Sequence, residues 1–160
     1  MPKVLIIYYS KSGNTKKMAE LIADGVRMGK NVEAEVKPVQ KTSVRELLYV
    51  DGIVVGSPTY YGSMAAEIKE FVDDSVKFHG RLEGKVGGAF SSSANIAGGN
   101  ETTIMSILQC WLIHGMVVQG SSKGDHYGPV AIGEPDERSK KLCLAYGRRI
   151  AKLVMKTRKV

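Results

Sequence analysis

The sequence has few cysteines and no long apolar segment, and both absences narrow the class of protein. Cys110 and Cys143 are the two cysteines among 160 residues, too few for the disulfide framework of a small secreted domain. No apolar run approaches the roughly 18 residues that span a membrane. Residues 1–9 are too short for a signal peptide. We therefore expect a cytoplasmic protein with reduced cysteines and no membrane insertion.

Histidine is scarce as well, with three residues in the chain. Neither His79 nor His126 has a partner at the spacing of metal ligands. A structural metal site needs about four such ligands in a recognisable spacing. The sequence therefore predicts no metal.

The excess of positive charge lies at one end of the chain. The formal net charge is +7, from 23 basic and 16 acidic residues. Residues 138–160 hold nine of the basic residues and no acid, so residues 1–137 carry a net charge of −2. The nine are Arg138, Lys140, Lys141, Arg148, Arg149, Lys152, Lys156, Arg158 and Lys159. This distribution indicates the solvated face of a last helix, and we expect no nucleic-acid partner. The alternative is a patch that docks an acidic redox partner or a neighbouring subunit.

The apolar pattern predicts one domain over residues 1–160 in which strands and helices alternate. Apolar strands are predicted at residues 3–9, 32–36, 52–55, 86–91 and 116–118, and a short extended piece at 130–132 within a loop over 120–133. Helices are predicted at residues 16–28, 43–48, 65–76, 102–114 and 136–155. Strands that alternate with helices form an α/β fold, a parallel sheet with helices on both faces. Ligands of such folds bind at the carboxyl ends of the strands.

The first strand ends in a turn that suits a phosphate. Loop 1, residues 10–15, reads Ser-Lys-Ser-Gly-Asn-Thr and opens a helix. The first N–H groups of a helix have no intrahelical partner and lie at the positive end of its dipole. The loop lacks the sequence of a nucleoside-triphosphate P-loop and of a dinucleotide fold. An N-capping turn without a ligand is the structural alternative.

Two further loops follow the third and fourth strands. Loop 2, residues 56–63, has adjacent tyrosines between a proline and a glycine, and such rings can stack on a flat aromatic ligand. Loop 3, residues 91–100, has small residues and two glycines, which let backbone groups approach a planar polar ring. For loop 2, the structural alternative is that one tyrosine packs under the next helix and the other lies on the surface. For loop 3, it is a flexible loop with a helix cap at Asn100. Taken together, the three loops predict one site for a phosphate and a flat polar ring.

This combination resembles the flavodoxin-like FMN proteins over nearly the whole chain. Loop 1 is similar to the flavodoxin phosphate loop, [Thr/Ser]-x-[Thr/Ser]-Gly-x-Thr. Residues 56–73, 90–104, 114–118 and 127–128 resemble the WrbA-type NAD(P)H:quinone oxidoreductases. The chain lacks the insertion that those enzymes carry after strand two, and its loop 3 is less rich in glycine. The resemblance implies a flavodoxin-like three-layer fold, with a five-stranded parallel sheet in the order 2-1-3-4-5.

The resemblance also implies which residues bind non-covalent FMN. The phosphate would lie against Ser10, Ser12, Gly13, Asn14 and Thr15. One side of the isoalloxazine would face Pro58, Thr59, Tyr60, Tyr61 and Gly62. The pyrimidine side would face Ser91, Ser92, Ser93, Ala94, Asn95, Gly98 and Gly99. His114 corresponds to a position near the flavin in the WrbA-type proteins; its structural alternative is a histidine that caps its helix.

Two redox functions follow from the resemblance, and neither requires a catalytic side chain, because FMN carries the redox chemistry. The first is electron transfer between partner proteins. The second is reduction of quinones by NAD(P)H. Either leaves room for a homo-oligomer. A binding module without redox chemistry, such as a receiver-like domain, is disfavoured because the first strand does not end in an acidic pair.

Overall fold

A computed structural model describes residues 1–158. The strands are β1 (Lys3–Tyr8), β2 (Glu33–Pro38), β3 (Gly52–Pro58), β4 (Val86–Ser93), β5 (Val117–Val118) and β6 (Val130–Ile132). The α-helices are α1 (Asn14–Arg27), α2 (Ala66–Asp74), α3 (Asn100–Ile113) and α4 (Glu137–Thr157). Short 3₁₀ segments cover Val39–Lys41, Val44–Tyr49 and Ser75–Phe78. Most predicted elements are present, and their bounds differ by a few residues.

The sheet is parallel, and its first four positions have the expected order β2-β1-β3-β4. The fifth position, at the outer edge beside β4, is occupied by two short strands instead of one. β5 pairs with Val86 and Gly87 at the start of β4, and β6 pairs with residues 91–93 at its end. The short extended piece predicted at 130–132 is therefore a strand of the sheet.

Alternating side chains of the continuous apolar strands enter two separate cores. On one face, Leu5 and Ile53 pack with residues of α2 and α3. On the other, Val4 and Val54 pack with residues of α1 and α4. Burial on both faces explains why these strands are apolar at nearly every position rather than at every second one.

The connection between β2 and β3 differs from the prediction, because the helix expected at 43–48 is a 3₁₀ segment, Val44–Tyr49. A capping box begins this segment. Ser43 Oγ accepts from a backbone N–H of the first turn, and Glu46 accepts from the Ser43 N–H at 2.8 Å. This connection carries no α-helix, so α1 and α4 cover one face and α2 and α3 the other.

The cations of the basic segment lie mainly on the outer side of α4, as the sequence indicated. Arg148, Lys152 and Lys156 are exposed, whereas Arg149 is half-buried with its guanidinium 4.9 Å from the Tyr146 ring centroid. Lys159 lies outside the described residues.

A side chain completes the outer edge of β4 where β5 has ended and β6 has not begun. There the N–H of Ala89 donates to the hydroxyl of Tyr146 at 3.0 Å. Tyr146 is 3% exposed, and burial raises its pKa to about 12. The hydroxyl therefore remains a neutral partner for this N–H at ordinary pH.

We expect Tyr146→Phe to lower the free energy of unfolding by about 1–3 kcal/mol, because it leaves a buried N–H unpaired. Urea denaturation measures the change. Tyr49→Phe, at an exposed tyrosine, is the control and should be neutral. Equal stability of the two variants would contradict the role given to the Tyr146 hydroxyl.

Candidate functional site

Loop 1 presents the open N-terminus of α1. Gly13 precedes the helix with φ 97°, a left-handed conformation that favours glycine. The Gly13 N–H donates to Ser10 Oγ at 3.0 Å, which leaves the Ser10 hydroxyl proton free to donate elsewhere. Lys17 N–H makes the first bond of the helix, to the Gly13 carbonyl. The N–H groups of residues 14–16 precede that bond and have no intrahelical acceptor.

The charge around loop 1 is positive. The first turn of α1 has no acidic residue, and Lys11 and Lys16 are exposed beside it. Lys17 is paired with Glu134 at 2.5 Å, and this contact lowers the pKa of Glu134. Lysines are unfavourable at a helix N-terminus, whereas a bound anion there is favourable. The helix end is therefore suited to an anionic ligand.

Loop 2 forms a tight turn at the end of β3. Tyr60 and Ser63 exchange two backbone hydrogen bonds of 3.0 and 3.1 Å. Between them Tyr61 has φ 50° and Gly62 has φ 75°. Positive φ at both central positions is the conformation of a type I′ turn, and it is uncommon for a tyrosine.

The two tyrosines of loop 2 are available to a ligand. Tyr61 is fully exposed and Tyr60 is 40% exposed. Tyr60 makes an edge-to-face contact with Tyr9, with ring centroids 6.4 Å apart. Partial desolvation, with a smaller contribution from Glu67, raises the pKa of Tyr9. Because neither loop 2 tyrosine is buried beneath a helix, the simple packing alternative does not explain this pair.

Loop 3 contacts loop 2 through the backbone. Gly99, with φ 108°, caps α3, and a Cβ atom there would lie 2.6 Å from the Gly62 Cα. The loop is held by its own polar contacts: Ser93 Oγ donates to the Asn95 carbonyl at 2.8 Å, and Asn100 Nδ2 donates to Ser93 Oγ at 2.7 Å. The approach of the two loops requires glycine at 99.

Ser92 connects all three loops. Its Oγ is 2.8 Å from Oγ1 of Thr15 in loop 1. Its carbonyl accepts from the Thr59 N–H of loop 2 at 2.8 Å. Seventeen of the eighteen predicted site residues thus belong to three adjoining loops at the carboxyl edge of the sheet.

Ser91 belongs to these loops, but its side chain points into the protein. It is fully buried, and its Oγ donates to the Ser57 carbonyl at 2.8 Å and lies 2.9 Å from Thr59 Oγ1. Its side chain holds the strand ends together, and its N–H donates to the Pro129 carbonyl at 3.1 Å, so neither is free to bind a ligand.

His114 is the one predicted residue that the fold separates from the three loops. It ends α3 just before β5, which pairs with Val86 at the start of β4. It therefore lies at the amino ends of the strands, whereas the three loops lie at the carboxyl ends. Its Nε2 is 2.8 Å from Ser75 Oγ. Since the Ser75 hydroxyl donates to the Val72 carbonyl at 2.5 Å, Nε2–H must donate to Ser75. Within one chain, His114 therefore lies at the C-terminal end of α3, as in the structural alternative.

Three residues in or beside the loops are not among the predicted site residues. Tyr9, directly before loop 1, contacts Tyr60 of loop 2. Asn100, the last residue of loop 3, donates to Ser93, and Thr102 donates to the Gly62 carbonyl at 2.6 Å. Tyr9 follows a strand directly, which is a usable signal. Asn100 acts through a contact within loop 3 and Thr102 through a contact with loop 2, and no local sequence pattern reveals either.

The arrangement supports a phosphate-bearing planar ligand and offers little acid–base chemistry. The open helix end and hydroxyls of loop 1 suit the phosphate, and Gly13 leaves space, because a Cβ there would meet nothing within 4 Å. The exposed tyrosines and the glycine contact of loops 2 and 3 suit a ring. Within residues 1–158, no three His, Cys, Asp or Glu side chains converge as metal ligands.

Comparison with known proteins gives the class and then the family. The profile of the Flavodoxin domain matches residues 5–105. A flavodoxin of Aquifex aeolicus is 43% identical, over 96% of this chain and 88% of its own length. An NAD(P)H dehydrogenase (quinone) of Archaeoglobus fulgidus is 33% identical, over 98% and 99%. The crystal structure of a flavodoxin, WrbA-like protein from Agrobacterium tumefaciens superposes with a TM-score of 0.85 at 26% identity, over 98% of this chain and 99% of that chain.

Fold, site and matches define a flavin-binding α/β protein of the flavodoxin-like class. The chain belongs to the flavodoxin family. Family membership confirms the expected non-covalent FMN and a function in electron transfer. No helix in the described part of the chain has the length and apolar character to cross a membrane.

Burial makes His114 a source of acid sensitivity. Desolvation, with a smaller contribution from His79, lowers its pKa from 6.5. Below pH 6.5 the unfolded chain binds a proton at this histidine more readily than the folded chain does, so the free energy of unfolding falls as the pH falls.

We expect His114→Gln to reduce the loss of unfolding free energy between about pH 7 and about pH 5. Urea denaturation at each pH measures this loss. His126→Gln, at an exposed histidine, is the control. If the free energy of unfolding of His114→Gln depends on pH as that of the unsubstituted chain does, the prediction is contradicted.

Proposed function

We propose that the chain is an electron carrier whose FMN lies across the three loops, with its phosphate at loop 1 and its ring between loops 2 and 3. The observation that carries this proposal is the junction at Ser92, which holds the open N-terminal end of α1 beside loop 2 and its exposed tyrosines. The space between loops 2 and 3 would be the crevice for the ring. A phosphate and a planar ring joined by a short chain would span both features. His114 has no part in this proposal.

The phosphate contacts would come from backbone and hydroxyl donors. Residues 14–16 offer N–H groups at the positive end of α1. Ser10 has a free hydroxyl proton, and Ser12 is exposed. Thr15 is buried against Ser92, and either oxygen of this pair can be the donor. When Ser92 donates, the Thr15 hydroxyl proton would be free to donate to the phosphate.

The ring contacts would combine stacking with backbone polar groups. Tyr60 or Tyr61 can lie against one face, and such contacts contribute about 0.5–1.5 kcal/mol beyond burial of area. Residues 93–95, Gly98 and Gly99 would form the other wall, where the glycines let backbone polar groups approach the ring. The bound cofactor supplies the redox chemistry by accepting and releasing electrons. The protein would hold and orient it.

The alternative function is reduction of quinones by NAD(P)H. A cavity of about 530 Å³ next to loop 3, lined in part by Ile96, Tyr127 and Ile132, offers space for a second planar substrate. Against it, the alignment with the Archaeoglobus fulgidus relative runs over 190 positions, whereas this chain has 160 residues. The connection from β2 to β3, where the WrbA-type enzymes are expected to carry their insertion, is residues 39–51 here. We therefore favour the carrier, with redox proteins as partners in the cytoplasm.

A loop 1 variant separates phosphate binding from ring binding. We expect Ser12→Ala to weaken FMN binding about tenfold, the effect of losing one hydrogen bond to a charged group. Binding of riboflavin, which lacks the phosphate, should be unchanged. Tyr61→Ala should weaken both flavins equally. Fluorescence titration of the flavin-free protein measures the constants, with Ser106→Ala on α3 as control. Equal weakening of both flavins by Ser12→Ala would contradict the phosphate site.

The carrier and the quinone reductase differ in one direct assay. We expect the flavin-loaded protein to be reduced by a chemical reductant and reoxidised by a protein partner, with no rapid oxidation of NADPH in the presence of benzoquinone. Stopped-flow absorbance of the flavin follows each reaction. Rapid, saturable NADPH oxidation would overturn the carrier in favour of the reductase. A purified protein that takes up no flavin would overturn both.

A further inference from the structure

Thr102 joins the two walls of the crevice. It lies in the first turn of α3, directly after loop 3. Its Oγ1 is 2.6 Å from the carbonyl oxygen of Gly62 in loop 2 and 3.0 Å from that of Gly99. One hydroxyl thus contacts a backbone oxygen from each of the two loops.

The hydroxyl proton belongs mainly to the Gly62 carbonyl. A threonine has a single O–H to donate, and Gly62 is the nearer acceptor. The Gly99 carbonyl already accepts the Thr103 N–H at 3.0 Å as part of the helix. The Thr102 side chain is therefore a restraint on loop 2 supplied by the helix that follows loop 3.

This restraint acts on a strained turn. Tyr61, next to Gly62, has φ 50°, a left-handed conformation that is unfavourable for a residue with a Cβ atom. Such conformations persist only where surrounding contacts determine them. Two backbone bonds between Tyr60 and Ser63 hold the turn from within, and Thr102 holds it from outside.

Two contacts together set the distance between the walls. The approach of Gly62 to Gly99 prevents the loops from moving closer, since even a Cβ would not fit between them. The Thr102 bond opposes their separation. The crevice is therefore given a defined width before a ligand enters, and preorganisation of this kind reduces the cost of binding.

We propose that Thr102 is a positioning residue for the flavin ring: its hydroxyl holds the Gly62 carbonyl so that loops 2 and 3 form a crevice of fixed width. The proposal rests on the proposed FMN site. It assigns Thr102 no contact with the cofactor and no part in electron transfer.

The experiment compares Thr102→Val, which keeps the shape and loses the hydroxyl, with Thr102→Ser, which keeps the hydroxyl. Thr157→Val is the matched control, because Thr157 also bonds backbone carbonyls, in the last turn of α4. Hydrogen exchange of the Tyr60 and Ser63 amides is measured in the flavin-free protein. Affinities for FMN and riboflavin are measured by fluorescence titration.

We expect Thr102→Val to weaken FMN and riboflavin equally, by roughly three- to tenfold, the range for one neutral hydrogen bond. Amide exchange at Tyr60 and Ser63 should accelerate by a similar factor. Thr102→Ser should keep the flavin affinities and the amide exchange rates of the unsubstituted chain, and so should Thr157→Val.

Three results would overturn the proposal. Unchanged amide exchange in Thr102→Val would show that the bond does not restrain the turn. Faster exchange with unchanged flavin affinity would show that the restraint does not position the ring. If the unsubstituted chain binds no flavin, the proposed function falls and the positioning role falls with it, so the unsubstituted chain distinguishes the two failures.

Discussion

The whole site depends on the hydrogen bonds of Ser92. Its hydroxyl meets Thr15 at the start of α1, and its carbonyl holds the N–H of Thr59 at the end of β3. These three segments are far apart in the chain and belong to different strand ends. A buried polar group needs a partner, so the correct assembly of the loops is also the arrangement that satisfies Ser92. Site geometry and folding are thus determined by the same contacts.

Much of this arrangement follows from sequence because it depends on position along the strands. Apolar runs identify buried parallel strands, and polar loops that follow those strands must meet at one edge of the sheet. This reasoning found the loops at 10–15, 56–63 and 91–100. It also explains the position of His114, which precedes a strand instead of following one. A parallel strand begins at the end of the sheet opposite to the loops. His114 is therefore distant from the three loops of its own chain, although its position resembles one near the flavin in the WrbA-type proteins.

Other features depend on contacts between distant residues and have no local signal. Ser91 looks like its neighbours in a run of serines, yet strand alternation turns its side chain toward Ser57. The positive φ of Tyr61 occurs at a residue type that rarely adopts it. The fifth position of the sheet is divided between β5 and β6, and between them the Tyr146 hydroxyl takes the place of a strand carbonyl. The sequence does not reveal this division, because it depends on where α4 places Tyr146. In each case a second segment of the chain decides the outcome.

The divided outer edge also affects how the protein can meet copies of itself. An open sheet edge offers a row of unpaired backbone groups, which is a template for aggregation. Here β5 has two residues and β6 has three, and the N–H of Ala89 between them is already bonded to a side chain. No continuous row remains on this side for a further strand to join. This side of the molecule therefore resists growth of the sheet from one chain to the next, and the other edge of the sheet is the six-residue strand β2.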